Sequence, residues 1–129
     1  PKYLEKHGFP KNISDLNKHS FISFGRGAPS PVYNPDWALK LGTKDNKKRK
    51  TVMKVNSVYG LLLAVQSGVG LAALPDYITV NQPNIVKVLP NIEGPITEAH
   101  FVYPQSMKNV ARVQAFRNFL YSKISEWEF

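Results

Sequence analysis

At 129 residues, 43% hydrophobic and 12% aromatic, the chain can build one ordinary domain or two small lobes, and its composition excludes a disordered protein. The absence of cysteine excludes a disulfide framework and any thiolate-held metal. Seventeen Lys and Arg against nine Asp and Glu leave a net charge of +8, a balance that suits nucleic acid or an anionic ligand.

Much of that charge is local. Within residues 44–54, KDNKKRKTVMK, the bases Lys44, Lys47, Lys48, Arg49, Lys50 and Lys54 face the single acid Asp45. No apolar run approaches the roughly 20 residues that span a bilayer. The polar opening PKYLEKHGFPKN carries no signal peptide, and with no initiator Met the chain reads as a piece of a longer protein.

Residues 1–19 read as two short helices. The first runs from Pro1 to His7 and stops at Gly8, which suits the left-handed position past a helix end. Ser14 is then expected to cap a single turn that carries Leu16. Phe21-Ile22-Ser23-Phe24 is strand-like, with Gly25-Arg26-Gly27 ending it. Residues 25–35, GRGAPSPVYNP, read as an ordered loop.

Residues 36–43 and 48–55 are expected to be two strands around Lys44-Asp45-Asn46-Lys47, because Asp and Asn tolerate left-handed backbone. Alternation supports the second strand, setting Arg49, Thr51, Met53 and Val55 against Lys48, Lys50, Val52 and Lys54. In the next stretch Val58, Leu61, Leu62 and Val65 recur at the spacing of one helix face. Asn56 or Ser57 would cap that helix and Gly68 would stop it.

Gly70 to Leu74 is an apolar run of the kind found in fully buried strands, and Pro75-Asp76-Tyr77 opens a short turn or helix. Ile85 to Leu89 and Thr97 to Tyr103 read as two more strands, parted by a loop at Pro90, Gly94 and Pro95. A terminal helix carries an apolar stripe of Val110, Val113, Phe116, Leu120 and Ile124, widened by Ala111 and Phe119. The order is mixed α/β with short loops.

The stretch SGVGLAALP matches a dinucleotide fingerprint, G-x-G-x-x-A, at Gly68, Gly70 and Ala73. Its context is reversed. A phosphate cradle needs a strand before the glycines and a helix after them, whereas here a helix precedes and an apolar run follows. The helix end that meets the glycines is a C-terminus, whose carbonyls repel phosphate. Gly68 therefore reads as a helix stop and Gly70 as a point of close passage.

Other catalytic patterns fail too. His7, His19 and His100 are scattered without metal-ligand spacing, no Ser lies in a G-x-S-x-G elbow, and no two carboxylates pair for acid–base work. The residues point away from an enzyme, a metal and a cofactor.

The junction Lys54-Val55-Asn56-Ser57-Val58 is more informative. A strand enters a helix there, so free backbone N–H groups and the side chains of Asn56 and Ser57 can converge on a carboxylate or similar small anion. Capping alone is the commoner use of such residues. The run KDNKKRK could touch phosphate backbones, but aromatics to stack bases are absent within it, Trp37 being the nearest. A solvated hairpin tip is the simpler reading.

Taken in order, the segments resemble the effector-binding domain of LysR-type transcriptional regulators. The opening fits P-x-Y-L-x-x-H-G-x-P-x-x-x-x-D-L-x-x-H through Pro1, Tyr3, Leu4, His7, Gly8, Pro10, Asp15, Leu16 and His19. Trp37 stands where many members have a strand aromatic. NSVYGLLLAVQSGVGLAALPDYI follows the family's helix, G-x-G, apolar strand and Pro. VLPN near residue 88 and FVYPQSMKNVARVQAFRNFL resemble the closing strand, Tyr-Pro and final helix.

The resemblance implies an α/β fold like that of periplasmic binding proteins: a lobe with a mixed sheet flanked by helices, the first lobe largely missing. Residues 1–96 would be the second lobe, and 97–129 the closing strand and helix that return to the first. It also implies a ligand cleft faced by Phe24 and Gly25, by Val55, Asn56 and Ser57, and by Tyr103 and Pro104 at the hinge. The expected ligand is a small-molecule effector, often anionic in this family. DNA would be met only through an N-terminal helix-turn-helix, in a cytoplasmic homo-oligomer with no membrane contact. Two rivals stand beside this reading: a lobe of a transporter's solute-binding protein, and a basic nucleic-acid-binding module.

Overall fold

The first helix, α1 (Lys2–His7), ends where the sequence predicts, with Gly8 at φ 79° and its N–H donating to the Leu4 carbonyl. The computed structural model describes residues 2–25 and 34–126; the expectation of an ordered loop over 25–35 lies for the most part outside them. The chain forms two compact units, Pro1–Thr97 and Glu98–Phe129.

After α1 comes a 3₁₀ turn, Ile13–Lys18, with Leu16 buried. Its cap is Asn12 and not Ser14: Asn12 Oδ1 accepts the Asp15 N–H at 3.0 Å, from an extended backbone that presents the side chain to the first turn. Strand β1 (Phe21–Phe24) follows, with all four residues buried. Its alternation divides the core of this unit. Ile22 and Phe24 pack with Val58, Leu61 and Ala64, while Phe21 packs with Leu16 and Leu39.

Residues 36–43 do not form the expected strand. They make a 3₁₀ turn, Trp37–Leu39, followed by a turn with Gly42 at φ 64°. A strand needs a free ladder beside it, but one side of β1 goes to β2 and the other is taken by Leu71 and the Asp36 carboxylate. Leu39 is instead buried from a turn. Trp37, expected on a strand, lies in that turn with Gly94 close to its indole. Lys44–Asn46 is another 3₁₀ turn, with Asp45 in the left-handed region at φ 54° as Asp tolerates. It is not a hairpin tip, since no strand precedes it.

Strand β2 (Thr51–Val55) pairs in parallel with β1: Ile22 faces Met53, Ser23 faces Lys54 and Phe24 faces Val55, with an irregularity after Phe21. Among the described residues the sheet is two-stranded and parallel, not mixed. Helix α2 (Val58–Gln66) lies on it, burying Val58, Leu61 and Leu62 of the anticipated stripe. Each fully buried side chain of this type contributes roughly 1.5–3 kcal/mol. Ser67 closes α2 and Gly68 follows at φ 78°.

Gly70 to Leu74 is not a fully buried strand. Leu71 makes a single parallel bridge to Phe21, after which the chain leaves β1, and residues 71–74 are only half-buried. Gly70 does mark a close approach: a Cβ there would stand 2.6 Å from the Ser20 carbonyl oxygen. The short α3 (Asp76–Thr79) follows Pro75. Residues 85–89 are irregular, and Leu89, at φ 52°, turns the chain into the Leu16 cluster where a strand was anticipated.

In the second unit residues 98–104 are irregular, so the strand expected over 97–103 is absent; no neighbouring strand among the described residues receives its ladder bonds. A 3₁₀ turn, Gln105–Met107, leads to α4 (Ala111–Ser125). The helix forms as its spacing predicts, but none of its residues is buried. Phe116 and Phe119 are 52% and 55% exposed, and Phe116 meets Phe101 edge-on at 5.6 Å. No helix among the described residues is long and apolar enough to cross a membrane.

Candidate functional site

Parallel strands end on the same side, so β1 and β2 bring Phe24 and Gly25 next to Val55 and Asn56. The Gly25 N–H donates to the Val55 carbonyl at 2.7 Å, extending the ladder one residue past β1. A Cβ on Gly25 would meet Val55 and Asn56 at ordinary distances of 3.6–3.7 Å, so glycine is not demanded by space there. Gly60 is tighter. A Cβ on it would lie 3.1 Å from Val55 Cγ1, so its lack of a side chain lets the first turn of α2 rest on the end of β2.

Ser57 caps α2, its Oγ accepting the Gly60 N–H at 3.3 Å. As an acceptor it keeps its own hydroxyl proton for another partner. No acidic residue occupies the first turn of α2, so the positive end of the helix dipole is not neutralised from within. Asn56 and Ser57 are both exposed. Five of the seven anticipated positions, Phe24, Gly25, Val55, Asn56 and Ser57, are thus brought to one rim. Tyr103 and Pro104 belong to the second unit, where Tyr103 lies 5.4 Å from the Phe101 ring and Pro104 precedes the Gln105–Met107 turn.

Two cavities of the first unit lie away from this rim. One of about 30 Å³ lies among Tyr3, Leu4, Val65, Gly70, Leu71 and Val86, room for about one water. A wide depression of about 480 Å³ runs between Lys11–Ser14 and Leu89–Ile92. Neither includes the five rim residues, which form an open edge.

Two residues, Asp36 beside the rim and Arg49 toward the Phe21 end of β1, carry more structure than their sequence context suggests. Asp36 Oδ1 accepts the Phe24 N–H at 2.8 Å and its Oδ2 lies 3.9 Å from Lys48 Nζ. Arg49, counted by sequence among the free bases, turns inward. Its Nε donates to Asn17 Oδ1 at 2.9 Å, its Nη1 to the Ala38 carbonyl at 3.0 Å, and its Nη2 to the Ile13 carbonyl at 3.4 Å. Burial lowers its pKa. Lys44, Lys47, Lys48, Lys50 and Lys54 are exposed.

At the opposite end of β1, Tyr3 stacks on His7 at 4.4 Å and lies 5.8 Å from His19, while its hydroxyl accepts the Ser20 N–H at 2.7 Å. Burial, then the neighbouring His7, pushes the His19 imidazole below its usual range. Its Nδ1 is buried without a hydrogen-bond partner. No three His, Cys, Asp or Glu side chains among the described residues group as metal ligands.

The profile of the LysR substrate binding domain family matches residues 1–124. An uncharacterized HTH-type transcriptional regulator of Haemophilus influenzae is 31% identical over 108 residues, which cover 81% of this chain and 36% of that protein. The chain therefore spans about a third of that relative's length. No solved structure matches it.

Proposed function

The chain belongs to the LysR substrate binding domain family, and we propose that it is the effector-sensing part of a DNA-binding transcriptional regulator. The family's fold is α/β and periplasmic-binding-protein-like, and the small parallel sheet with α2 packed on it is consistent with a fragment of that fold. In this reading residues 1–96 are the second lobe and 97–129 return to the first, with Tyr103 and Pro104 at the hinge. DNA would be met through a helix-turn-helix elsewhere in the full-length protein, a cytoplasmic homo-oligomer. No catalytic step is involved.

One observation carries the reading of the site. The C-terminal ends of two parallel strands meet the N-terminus of a Ser57-capped helix that has no acid in its first turn. In open α/β sheets ligands bind outside the carboxyl ends of the strands, and a helix N-terminus favours anions. The effector is thus a small anion, held by Gly25, Asn56 and Ser57 on this side of a cleft. It would act by binding one arrangement of the lobes more tightly than another. The inward turn of Arg49 weighs against the basic segment as a nucleic-acid module, since it removes a base from the exposed face.

The test is a titration of the isotopically labelled chain with sodium succinate and sodium sulfate, followed by amide NMR. Shifts that saturate at Gly25, Asn56 and Ser57 are expected. Shifts confined to the lysines of residues 44–54, or none at all, would refute the assignment.

A further inference from the structure

One edge of β1 is served by two different partners in succession, Leu71 and then Asp36. Leu71 N–H donates to the Ser20 carbonyl at 2.9 Å, and Ile22 N–H donates to the Leu71 carbonyl at 2.8 Å. Two residues on, Phe24 directs its N–H to the same edge, but the chain after Leu71 has left β1, as the single bridge there shows. Phe24 is buried, and an unmet donor at that position is costly. Asp36 Oδ1 accepts that N–H at 2.8 Å. The next donor, Gly25 N–H, crosses back to Val55.

We propose that Asp36 is the positioning residue of this rim: its carboxylate stands in for the strand that β1 lacks at its last residue. It thereby fixes where Phe24 and Gly25 are presented beside the N-terminus of α2. The end of β1 is held from both sides, by β2 and by Asp36. With the Asp36 bond gone, the ladder to β2 is what restrains Gly25 among the described residues. The bearing on effector affinity rests on the anion-site reading above; the bearing on the rim itself does not.

Amide hydrogen exchange of the 129-residue chain separates the two. In Asp36→Ala, protection of the Gly25 N–H, which bonds to Val55 and not to Asp36, falls about tenfold. Protection of Ile22, on the same strand, stays unchanged. Asp36→Asn, whose amide oxygen can still accept from Phe24, restores Gly25 protection. Unchanged Gly25 protection in Asp36→Ala overturns the proposal, and so does an equal loss at Ile22, which would mark a general stabilising role. If Asp36→Ala fails to fold, Asp36→Glu keeps the charge but displaces the acceptor by one methylene. It should shift the Phe24 and Gly25 amide resonances, and unmoved resonances overturn the proposal. In a sulfate titration Asp36→Ala should bind about fivefold more weakly than the unaltered chain. A chain that shows no sulfate shift at all refutes the anion reading, and the exchange data still decide the role of Asp36.

Discussion

The Arg49 guanidinium carbon lies 5.8 Å from the centre of the Phe21 ring, turned inward from a segment whose lysines face solvent. Its donors reach two places at once: the Ile13–Lys18 turn, at Ile13 and Asn17, and the Trp37–Leu39 turn, at Ala38 and, through its own backbone N–H, at the Leu39 carbonyl. One planar cation thereby joins the segments around the Leu16, Phe21 and Leu39 cluster.

Replacing Arg49 should therefore cost far more than replacing its neighbours. Arg49→Ala is expected to lower stability by about 2 kcal/mol, the order of a lost set of charged hydrogen bonds, in urea denaturation. Arg49→Lys, lacking the fork, should recover less than half. Lys47→Ala and Lys50→Ala should change stability by no more than about 0.5 kcal/mol.

The Ile13–Lys18 turn offers two rival caps two residues apart. Asn12 accepts from Asp15 N–H, and Asp15 Oδ2 accepts the N–H of Lys11, the residue before the cap, at 3.0 Å. Asn12→Ala should cost about 1 kcal/mol. Ser14→Ala should be close to neutral, as measured by urea midpoints.

The glycine fingerprint can be tested directly. Gly70→Ala sets a methyl against the Ser20 carbonyl, an atom of the backbone that cannot swing aside. A loss of about 1–3 kcal/mol is expected, as for other overpacked sites. Excess NAD should leave the thermal midpoint of the unaltered chain where it is.

Stability should also fall on mild acidification. His19 is held below its ordinary value of 6.5, by burial first and His7 second, so the unfolded chain takes up a proton at a higher pH than the folded chain does. Between the two values the unfolded state binds more protons, and stability declines as pH drops below 6.5. His19→Gln should flatten that part of the profile. Asp15 acts lower down. The Lys11 N–H holds its carboxyl below 3.8, so its contribution is present above that value and is lost as pH falls beneath it. Urea midpoints across the acid range check both.

Segments whose structure is settled by their own residues were legible in the sequence. Gly8 and Gly68 stop helices, Ser57 caps one, and the Val58, Leu61, Leu62 spacing gives its buried face. Strands fared worse because a strand is completed by what lies beside it. Residues 70–74, 85–89 and 97–103 have strand-like composition, yet at most a single bridge forms among them. Five rim positions came together because parallel strand ends are adjacent by construction. Arg49 did leave a signal, since alternation placed it on the face of Val55. Asp36 left none: it reads as the first residue of the strand expected over 36–43, and its service to the edge of β1 appears only once that edge is known.

The parallel pairing of Phe24 with Val55 joins points about thirty residues apart, a closure that no tight turn can make. Such a sheet has no local seed. Its ladder repays the chain only after a long loop has closed, which makes the search for register the slow part of folding. Arg49, bonded back to Ile13 and Asn17, sits just before the strand that must arrive last, and so bears on how quickly the native topology is found as well as on how firmly it is kept.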